Sequence, residues 1–354
     1  MNSYFAPFLV SFLVSGFLGL LIVVTRRVHG RLTYDDAKIG IHKYHKSLTP
    51  RVGGIAFFVG LAAGGAYHGF EADNALRLAK WAGIAAMPVF LGGFFEDITK
   101  RVTARDRLLL SFLSATIAYF ELKVGLVRTD WLWFDQFILA YPGISLLLTI
   151  LMMGGVAHAA NIVDGFNGLL LGVSILALTS FILVGIRVDA ALLLIYMLIM
   201  LGALLGTFCI NFPKGRLFLG DGGAYLIGFL LALFALLLVK KFDRVSPWFP
   251  LLVLIYPVFE TVFSIYRKKV IRKRSAMVPD RLHLHMLVYR KLSSRVSVIL
   301  KVEQNPATAI LMWIIAVIPM IPAVIWWDRS DILILCTLLF ALGYVACYRW
   351  VLRL

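Results

Sequence analysis

A cluster of polar residues interrupts the apolar chain at residues 161–169, where Asn161, Asp164 and Asn167 are interspersed with two glycines. Long apolar runs flank the cluster on both sides. A charged side chain that moves into a bilayer costs about 3 kcal/mol, so charges at the ends of apolar runs are candidates for function. The alternative is a polar turn that only links two helices.

Two adjacent carboxylates, Glu96 and Asp97, end another apolar run, and Lys100 follows them. If the helix continues, Lys100 lies on the same face, because residues three and four apart are neighbours on a helix. Paired carboxylates beside a lysine can hold Mg²⁺ or accept a proton from an incoming phosphate. A solvated helix end with a surface ion pair is the alternative.

Asp221 lies between Gly220 and the pair Gly222-Gly223, at the start of a further apolar run. Glycines allow backbone amides to approach a diphosphate, and a helix N-terminus favours negative charge. An aspartate there would meet a phosphate through a shared metal ion. Alternatively, Asp221 is an ordinary helix N-cap, a position that aspartate favours.

His283 and His285 are two residues apart, which does not suit one helix face but does suit an extended loop that points both rings at one anion. Arg281 adds positive charge nearby. A zinc site is a weak alternative, since no HExxH or CxxC partner is present. The basic run at 267–274 is interpreted mainly as a topological anchor that contacts lipid headgroups.

The composition indicates a single-domain membrane protein over residues 1–354. The chain is 61% hydrophobic and only 15% charged, which excludes a soluble globular protein. Backbone groups in lipid must be satisfied within the segment, and no alternating barrel pattern is present, so the spans are predicted to be helices. We predict an all-α polytopic fold with eleven spans at about 4–25, 52–69, 80–97, 107–121, 143–160, 168–186, 189–211, 222–240, 247–266, 307–327 and 331–351.

The distribution of basic residues predicts the orientation. With the N-terminus outside, in the periplasm, the cytoplasmic segments carry most of the 35 Lys and Arg residues, as the positive-inside rule requires. Anionic lipid headgroups and an anionic substrate explain the net charge of +16 better than nucleic acid does. Every polar cluster then faces the cytoplasm, together with the segment 42–54, which contains Lys46 and Thr49.

These motifs resemble those of the polyprenyl-phosphate N-acetylhexosamine-1-phosphate transferase family over about residues 40 to 290. The resemblance implies Mg²⁺-dependent transfer of a sugar-1-phosphate from a UDP-N-acetylhexosamine to a membrane polyprenyl phosphate, with release of UMP; Mn²⁺ is a second candidate ion. Catalysis is thereby assigned to Glu96, Asp97, Lys100, Asp164, His283 and His285. Substrate binding is assigned to Lys46, Thr49, Asn161, Asn167, Phe218 and Arg281, and the metal to Asp221 and Asp97.

Three positions depart from the family pattern. Glu96 stands where the family has the first of two aspartates, Asn167 stands where some members have aspartate, and Met286 stands where many have a third histidine. None of these changes removes a group that a metal-assisted transfer requires.

The predicted mechanism is direct displacement at the β-phosphorus of the donor. Mg²⁺ on Asp221 and Asp97 would neutralise the diphosphate, while Glu96 or Asp97 would take a proton from the lipid phosphate. Phe218 precedes Asp221 by three residues, so if the two share a helical turn, its ring could stack on uracil. A two-step route through a phospho-aspartate stays open, as does the identity of the sugar.

Two other functions compete with this prediction. A lipid-linked sugar flippase should have ionisable residues near mid-bilayer or broken paired helices, whereas the charges here lie almost wholly at the cytoplasmic ends. A CDP-alcohol phosphotransferase needs Asp-Gly-x-x-Ala-Arg, which Asp164-Gly165 does not begin. We expect a bacterial inner-membrane enzyme that starts a surface glycan such as lipopolysaccharide O-antigen, with a homodimer as one candidate assembly.

Overall fold

Long apolar helices form most of the protein, as the composition predicts. The computed structural model describes residues 2–35, 49–69, 73–273 and 282–354. Eight helices in these ranges are long and apolar enough to cross a bilayer, and each coincides with a predicted span. They are Tyr4–Val24, Arg77–Thr99, Pro142–Val163, Leu169–Arg187, Ala191–Asn211, Gly220–Lys241, Gln304–Ile325 and Ser330–Arg353. The prediction of an all-helical, polytopic membrane protein is confirmed.

The other three predicted spans are also helical but are shorter or interrupted. The segments Gly53–Gly69 and Ala104–Glu121 are single helices of 17 and 18 residues. The last is divided at Leu254 into helices of 6 and 12 residues. Proline at position 257 explains the break, since it lacks the amide that would bond the carbonyl of Val253 in a continuous helix. Eleven crossings and their orientation therefore remain predictions.

The elements are labelled here in chain order. The helices are α1 Asn2–Val24, α2 Arg26–Thr33, α3 Gly53–Gly69, α4 Asp73–Thr99, α5 Ala104–Glu121, α6 Leu132–Ala140, α7 Pro142–Val163, α8 Leu169–Arg187, α9 Ala191–Asn211, α10 Gly220–Lys241, α11 Trp248–Val253, α12 Ile255–Tyr266, α13 Leu284–Lys291, α14 Ser293–Leu300, α15 Gln304–Ile325 and α16 Ser330–Arg353. A π-helix, Arg267–Ile271, continues α12. Strands β1 Tyr34–Asp35 and β2 Thr49–Pro50 pair antiparallel, with Tyr34 opposite Pro50.

Helix α10 is the centre of the bundle. All of its residues from Gly220 to Val239 are buried, and it packs against α3, α4, α5, α7, α8 and α9. A helix that is apolar on every side is stable only when other helices surround it. Its N-terminal end carries Asp221 and contacts the segment before α3 and the end of α4.

Glycines bring the backbones of α3 and α4 against the first turn of α10. A Cβ added to Gly54 would lie 2.5 Å from the amide nitrogen of Gly223, and one added to Gly93 would lie 2.4 Å from that of Gly222. Real side chains do not tolerate such distances, so only glycine allows these close crossings. Small residues at helix crossings are typical of membrane bundles, where packing drives association.

We expect Gly93→Ala to destabilise the protein by about 1–3 kcal/mol, the usual cost of overpacking, because the added methyl group would collide with the backbone of α10. Gly83→Ala is the matched control on the same helix, since its methyl group would meet no described atom within 4 Å. Thermal unfolding of the detergent-solubilised proteins measures the effect. Equal unfolding temperatures for the two variants would contradict this packing.

Candidate active site

Backbone hydrogen bonds join the segment before α3 to the segment before α10. The amides of Gly53 and Gly54 donate to the carbonyls of Phe218 and Leu219, at 2.8 and 2.7 Å, and the amide of Phe218 donates to Pro50 at 2.9 Å. The predicted binding residues Thr49 and Phe218 thus lie on the two segments that these hydrogen bonds join. Thr49 is buried, and Phe218 is partly exposed.

The carboxylate of Asp97 caps the N-terminus of α10 from another helix. Its Oδ1 accepts from the amide of Asp221 at 2.9 Å, and its Oδ2 accepts from the amide of Gly222 at 3.0 Å. First-turn amides have no acceptor within their own helix, and the helix dipole favours an anion there. Because Asp97 is only 2% exposed, this contact fixes the end of α4 to the start of α10.

Two arginines hold the buried carboxylate of Asp221. Arg51 and Arg107 each form an ion pair with one of its oxygens, and the Nε of Arg51 also lies 3.3 Å from Asp97 Oδ1. The guanidinium of Arg107 lies 5.7 Å from the centre of the Tyr225 ring. The sequence analysis did not assign either arginine to the site. Two signals were available in the sequence: Arg51 belongs to the polar segment 42–54, and Arg107 is the first residue of the predicted span 107–121.

The glycines around Asp221 allow the helices to pack closely. The amide of Gly222 donates to Asp97 rather than facing open space, and Gly223 packs against Gly54. Gly220 has a φ of +78°, a conformation that glycine adopts without strain. These residues serve the close contact between helices, and an approach of their amides to a diphosphate stays a prediction.

The condition for placing Lys100 on the helical face of Glu96 and Asp97 is not met. Helix α4 ends at Thr99, and Lys100 has a left-handed φ of +56°. The lysine nevertheless lies close enough to Asp97 for electrostatic attraction. Glu96 is partly buried, and its Oε2 has no hydrogen-bond partner among the described residues.

The loop after α7 brings its predicted residues to the same end of the bundle. The side chain of Asn161 hydrogen-bonds the hydroxyl of Tyr225, one turn after Asp221. Asp164 ends α7 and keeps part of its surface exposed. Burial of its carboxyl raises the pKa of Asp164 from 3.8 to about 7, and the positive charge of Arg51 offsets only part of that effect.

Asn167 ties this loop to the segment before α10. Its Nδ2 donates to the carbonyl of Pro213 at 3.0 Å, and its backbone amide donates to Asn305 Oδ1 at 2.8 Å. The next amide, of Gly168, donates to Asn211 Oδ1, and Asn211 Nδ2 donates to Leu217 at 2.7 Å. The structure therefore gives Asn167 a scaffold role, and its contact with substrate stays a prediction.

The histidines are arranged differently from the predicted extended loop. His283 is the extended N-cap of α13, whereas His285 lies within the helix. Their rings are parallel, with centroids 5.4 Å apart. The Nδ1 of His283 lies 2.9 Å from Glu260 Oε1, and His285 meets the ring of Phe166 edge to face at 5.9 Å.

Glu260 was missed by the sequence analysis although a signal was present. It is a fully buried acid within an apolar run that was predicted to span the membrane, a position that marks function by default.

Three other predicted binding residues have separate outcomes. Lys46 and Arg281 lie outside the described residues. Phe218 and Asp221 do not share a helical turn, because α10 begins only at Gly220.

The residues present fit a magnesium or manganese ion. The carboxylates of Asp97, Asp164 and Asp221 surround Arg51, which acts electrostatically on each of them. No three acidic, histidine or cysteine side chains form a ready metal cage in the described ranges. Mg²⁺ usually takes only one or two carboxylates and completes its shell with water and substrate phosphates. Asp221 meets that requirement, and Glu96, next to Asp97 in the chain, has an Oε2 without a hydrogen-bond partner among the described residues.

Comparison with known proteins identifies the relatives of this chain. Residues 80–239 match the family model of Glycosyl transferase family 4. This match confirms the resemblance that the motifs indicated. It runs from within α4 to within α10 and so includes Asp97, Asp164 and Asp221, while His283 lies beyond it.

Similar chains extend the likeness beyond that segment. The chain is 28% identical over 296 residues to the probable undecaprenyl-phosphate N-acetylglucosaminyl 1-phosphate transferase of Bacillus subtilis (strain 168), covering 82% of this chain and 80% of the relative. It is 26% identical to the undecaprenyl-phosphate alpha-N-acetylglucosaminyl 1-phosphate transferase of Thermotoga maritima, with 79% and 80% covered. The phospho-N-acetylmuramoyl-pentapeptide-transferase of Leuconostoc citreum is 27% identical, with 62% and 70% covered.

The raised pKa of Asp164 predicts a pH-dependent stability in the metal-free protein. Between about pH 4 and about pH 7 the folded carboxyl keeps a proton that the unfolded chain has lost, so this group lowers stability as pH rises through that window. Asparagine does not titrate, so Asp164→Asn should lose less stability than the wild type between about pH 5 and about pH 8, by roughly a few degrees in Tm.

Thermal unfolding at a series of pH values measures the difference between the two proteins, which isolates this group from other titrations. Parallel curves for wild type and Asp164→Asn would contradict the assignment.

Proposed function

We propose that this protein transfers an N-acetylhexosamine-1-phosphate from a UDP-sugar to undecaprenyl phosphate and releases UMP. The observation that carries the proposal is the convergence of Asp97, Asp164 and Asp221 with two arginines at one end of a bundle of membrane helices. The chain is similar over 82% of its length to a protein named as such a transferase, and its acidic cluster suits that chemistry.

The acids and arginines divide the work of phosphoryl transfer. Asp221, with Asp97 or Asp164, would hold Mg²⁺, which neutralises charge on the donor diphosphate when it is bound. Arg51 and Arg107 then exchange their carboxylate partner for phosphate oxygens, for which a guanidinium has suitable donors. Such positioning and charge neutralisation supply most of the catalysis in reactions of this class.

The reaction itself is a displacement. An oxygen of the lipid phosphate bonds to the β-phosphorus of the donor, the bond from that phosphorus to the bridging oxygen breaks, and UMP leaves. We assign to Glu96, whose Oε2 has no hydrogen-bond partner among the described residues, the acceptance of a proton from the lipid phosphate. Asp97 is less suited to that step, since both its oxygens already accept backbone amides.

The remaining predicted residues are assigned to the donor. Phe218 borders the site at the junction with β2, and we assign its ring to the uracil although it lies outside α10. Asn161 reaches the site beside Tyr225. His283 is assigned to the sugar phosphate. The donor approaches from the cytoplasm, and the acceptor lies in a bacterial inner membrane that the eleven predicted helices cross with the N-terminus outside.

A transporter is the competing function, and two features of the fold belong to its pattern. Helices α11 and α12 are the two parts of one interrupted span, and Glu260 is a buried acid within that span. Glu260, however, lies midway along α12 and is hydrogen-bonded to His283 at the start of α13. Its charge therefore serves the loop at the bundle end and does not line a pathway through the membrane, which favours an enzyme.

Turnover of purified protein with undecaprenyl phosphate and a panel of UDP-N-acetylhexosamine donors tests the proposal. We expect UMP release and a lipid-linked sugar phosphate with at least one donor, only in the presence of Mg²⁺ or Mn²⁺. Asp221→Asn should reduce turnover to below about a tenth of wild type, because loss of the carboxylate removes several kcal/mol of metal-assisted stabilisation.

Asp331→Asn is the matched control, since Asp331 is an exposed aspartate that pairs with Arg329 at the other end of the bundle. Both variants should elute as folded monodisperse protein. Turnover above a tenth of wild type in Asp221→Asn, or turnover unaffected by chelation of divalent ions, would overturn the metal-assisted mechanism.

A further inference from the structure

Glu260 is a buried acid whose carboxylate is fully used. Its side chain has no exposed surface. Oε1 lies 2.9 Å from His283 Nδ1, Oε2 accepts from the hydroxyl of Tyr344 at 2.6 Å, and the amide of Leu284 lies 3.3 and 3.2 Å from the two oxygens. Three donors from two separate parts of the chain therefore converge on this one group.

We propose that Glu260 is a positioning residue for the donor site: together with Tyr344 it fixes the tautomer and the orientation of His283. This inference rests on the proposed function, which assigns His283 to the donor sugar phosphate. It adds α12 and α16, two elements without any assigned role, to the machinery of the site.

The chemistry of the contact sets the tautomer. An ionised carboxylate can only accept hydrogen bonds, so the Nδ1 of His283 must carry the proton that lies between them. The Nε2 is then the ring nitrogen left to meet a substrate. A carboxylate behind a functional histidine also fixes the ring orientation and raises the basicity of the imidazole, as in metal sites with the same arrangement.

Glu260 also fixes where α13 begins. It accepts the amide of Leu284, the first residue of that helix, which has no acceptor within the helix itself. His283 is the adjacent N-cap, so one carboxylate determines both the start of the helix and the direction of the ring. The hydroxyl of Tyr348 donates to the carbonyl of Leu282 at 3.0 Å, which fixes the preceding residue to α16.

A chain of ring contacts leads from this pair to the acidic cluster. The ring of His283 lies parallel to that of His285, and His285 meets Phe166 edge to face. Gly165 is a neighbour of His285, since a Cβ at Gly165 would lie in ordinary contact with the ring, 3.4 Å from its Nε2. Since Gly165 follows Asp164 directly, a displaced His283 would disturb the loop that carries the aspartate.

Stability alone does not account for this arrangement. Replacing a buried charged group and its partner by apolar residues of similar size is often neutral or stabilising, so an acid here is a poor device for holding helices together. A role in directing one ring nitrogen explains why the acceptor is charged and why its second oxygen is held by Tyr344.

Kinetic coupling between Glu260 and His283 tests the proposal. Glu260→Gln keeps the shape but removes the charge, and should lower kcat by about 10- to 100-fold, the usual effect of removing such a partner, with a smaller change in KM. If Glu260 acts through His283, the double variant with His283→Asn should be no slower than His283→Asn alone. Effects that multiply would overturn the proposal.

A spectroscopic measurement provides a readout that needs no turnover. In protein labelled with ¹⁵N-histidine, with the His283 signals identified by their loss in His283→Asn, the wild type should show a protonated Nδ1. Glu260→Gln should give a mixture of tautomers. Unchanged His283 signals in that variant would contradict the positioning role.

Tyr344→Phe tests the same link through a milder change, in case Glu260→Gln does not fold. It should lower kcat less than Glu260→Gln does and should leave donor KM nearly unchanged. Tyr119→Phe is its control, since that hydroxyl bonds Pro142 at the other end of the bundle. Equal kcat for the two tyrosine variants would count against the proposal. Failure of the wild type to transfer any sugar would contradict only the proposed function, because the histidine spectra are independent of turnover.

Discussion

The contact between Asp97 and the first turn of α10 is the constraint on which the site depends. Helix α10 is buried along nearly its whole length, so its N-terminal amides need an acceptor inside the protein. Asp97 supplies it with both oxygens, while the glycine crossings of α3 and α4 hold the backbones close enough for the bond. One carboxylate thus determines where Asp221 lies.

A second acid repeats this device on the other side of the site. Glu260 accepts the first amide of α13 and so positions His283, much as Asp97 positions Asp221. Burying an acid is unfavourable unless it is paired and hydrogen-bonded. Here Asp97 accepts two amides and lies beside Arg51, and Glu260 is bonded to an amide, a histidine and a tyrosine. The result is a site whose charged groups are held before any substrate arrives, which is what phosphoryl transfer requires.

The sequence predicted the long helices and the acids but not their partners. Apolar runs of bilayer length located eight spans, since length and hydropathy are local properties. Asp97 and Asp221 are 124 residues apart, and no periodicity indicates that one accepts the other's amide. Arg51 and Arg107 were missed for the same reason.

The end of α4 was not predicted either. Lys100 follows the helix in a left-handed conformation, and no neighbouring glycine or proline in the sequence indicates this. Glu260 could have been found, because an acid within an apolar run is a signal by itself.

Hydrogen exchange at the start of α10 tests the central contact most directly. The amides of Asp221 and Gly222 have no acceptor in their own helix, so their protection in metal-free protein must come from Asp97. We predict slow exchange of both amides in the wild type and exchange on the order of tenfold faster or more in Asp97→Ala, which removes both acceptor oxygens, with the rest of α10 still protected. Equally slow exchange of these two amides in both proteins would contradict the account.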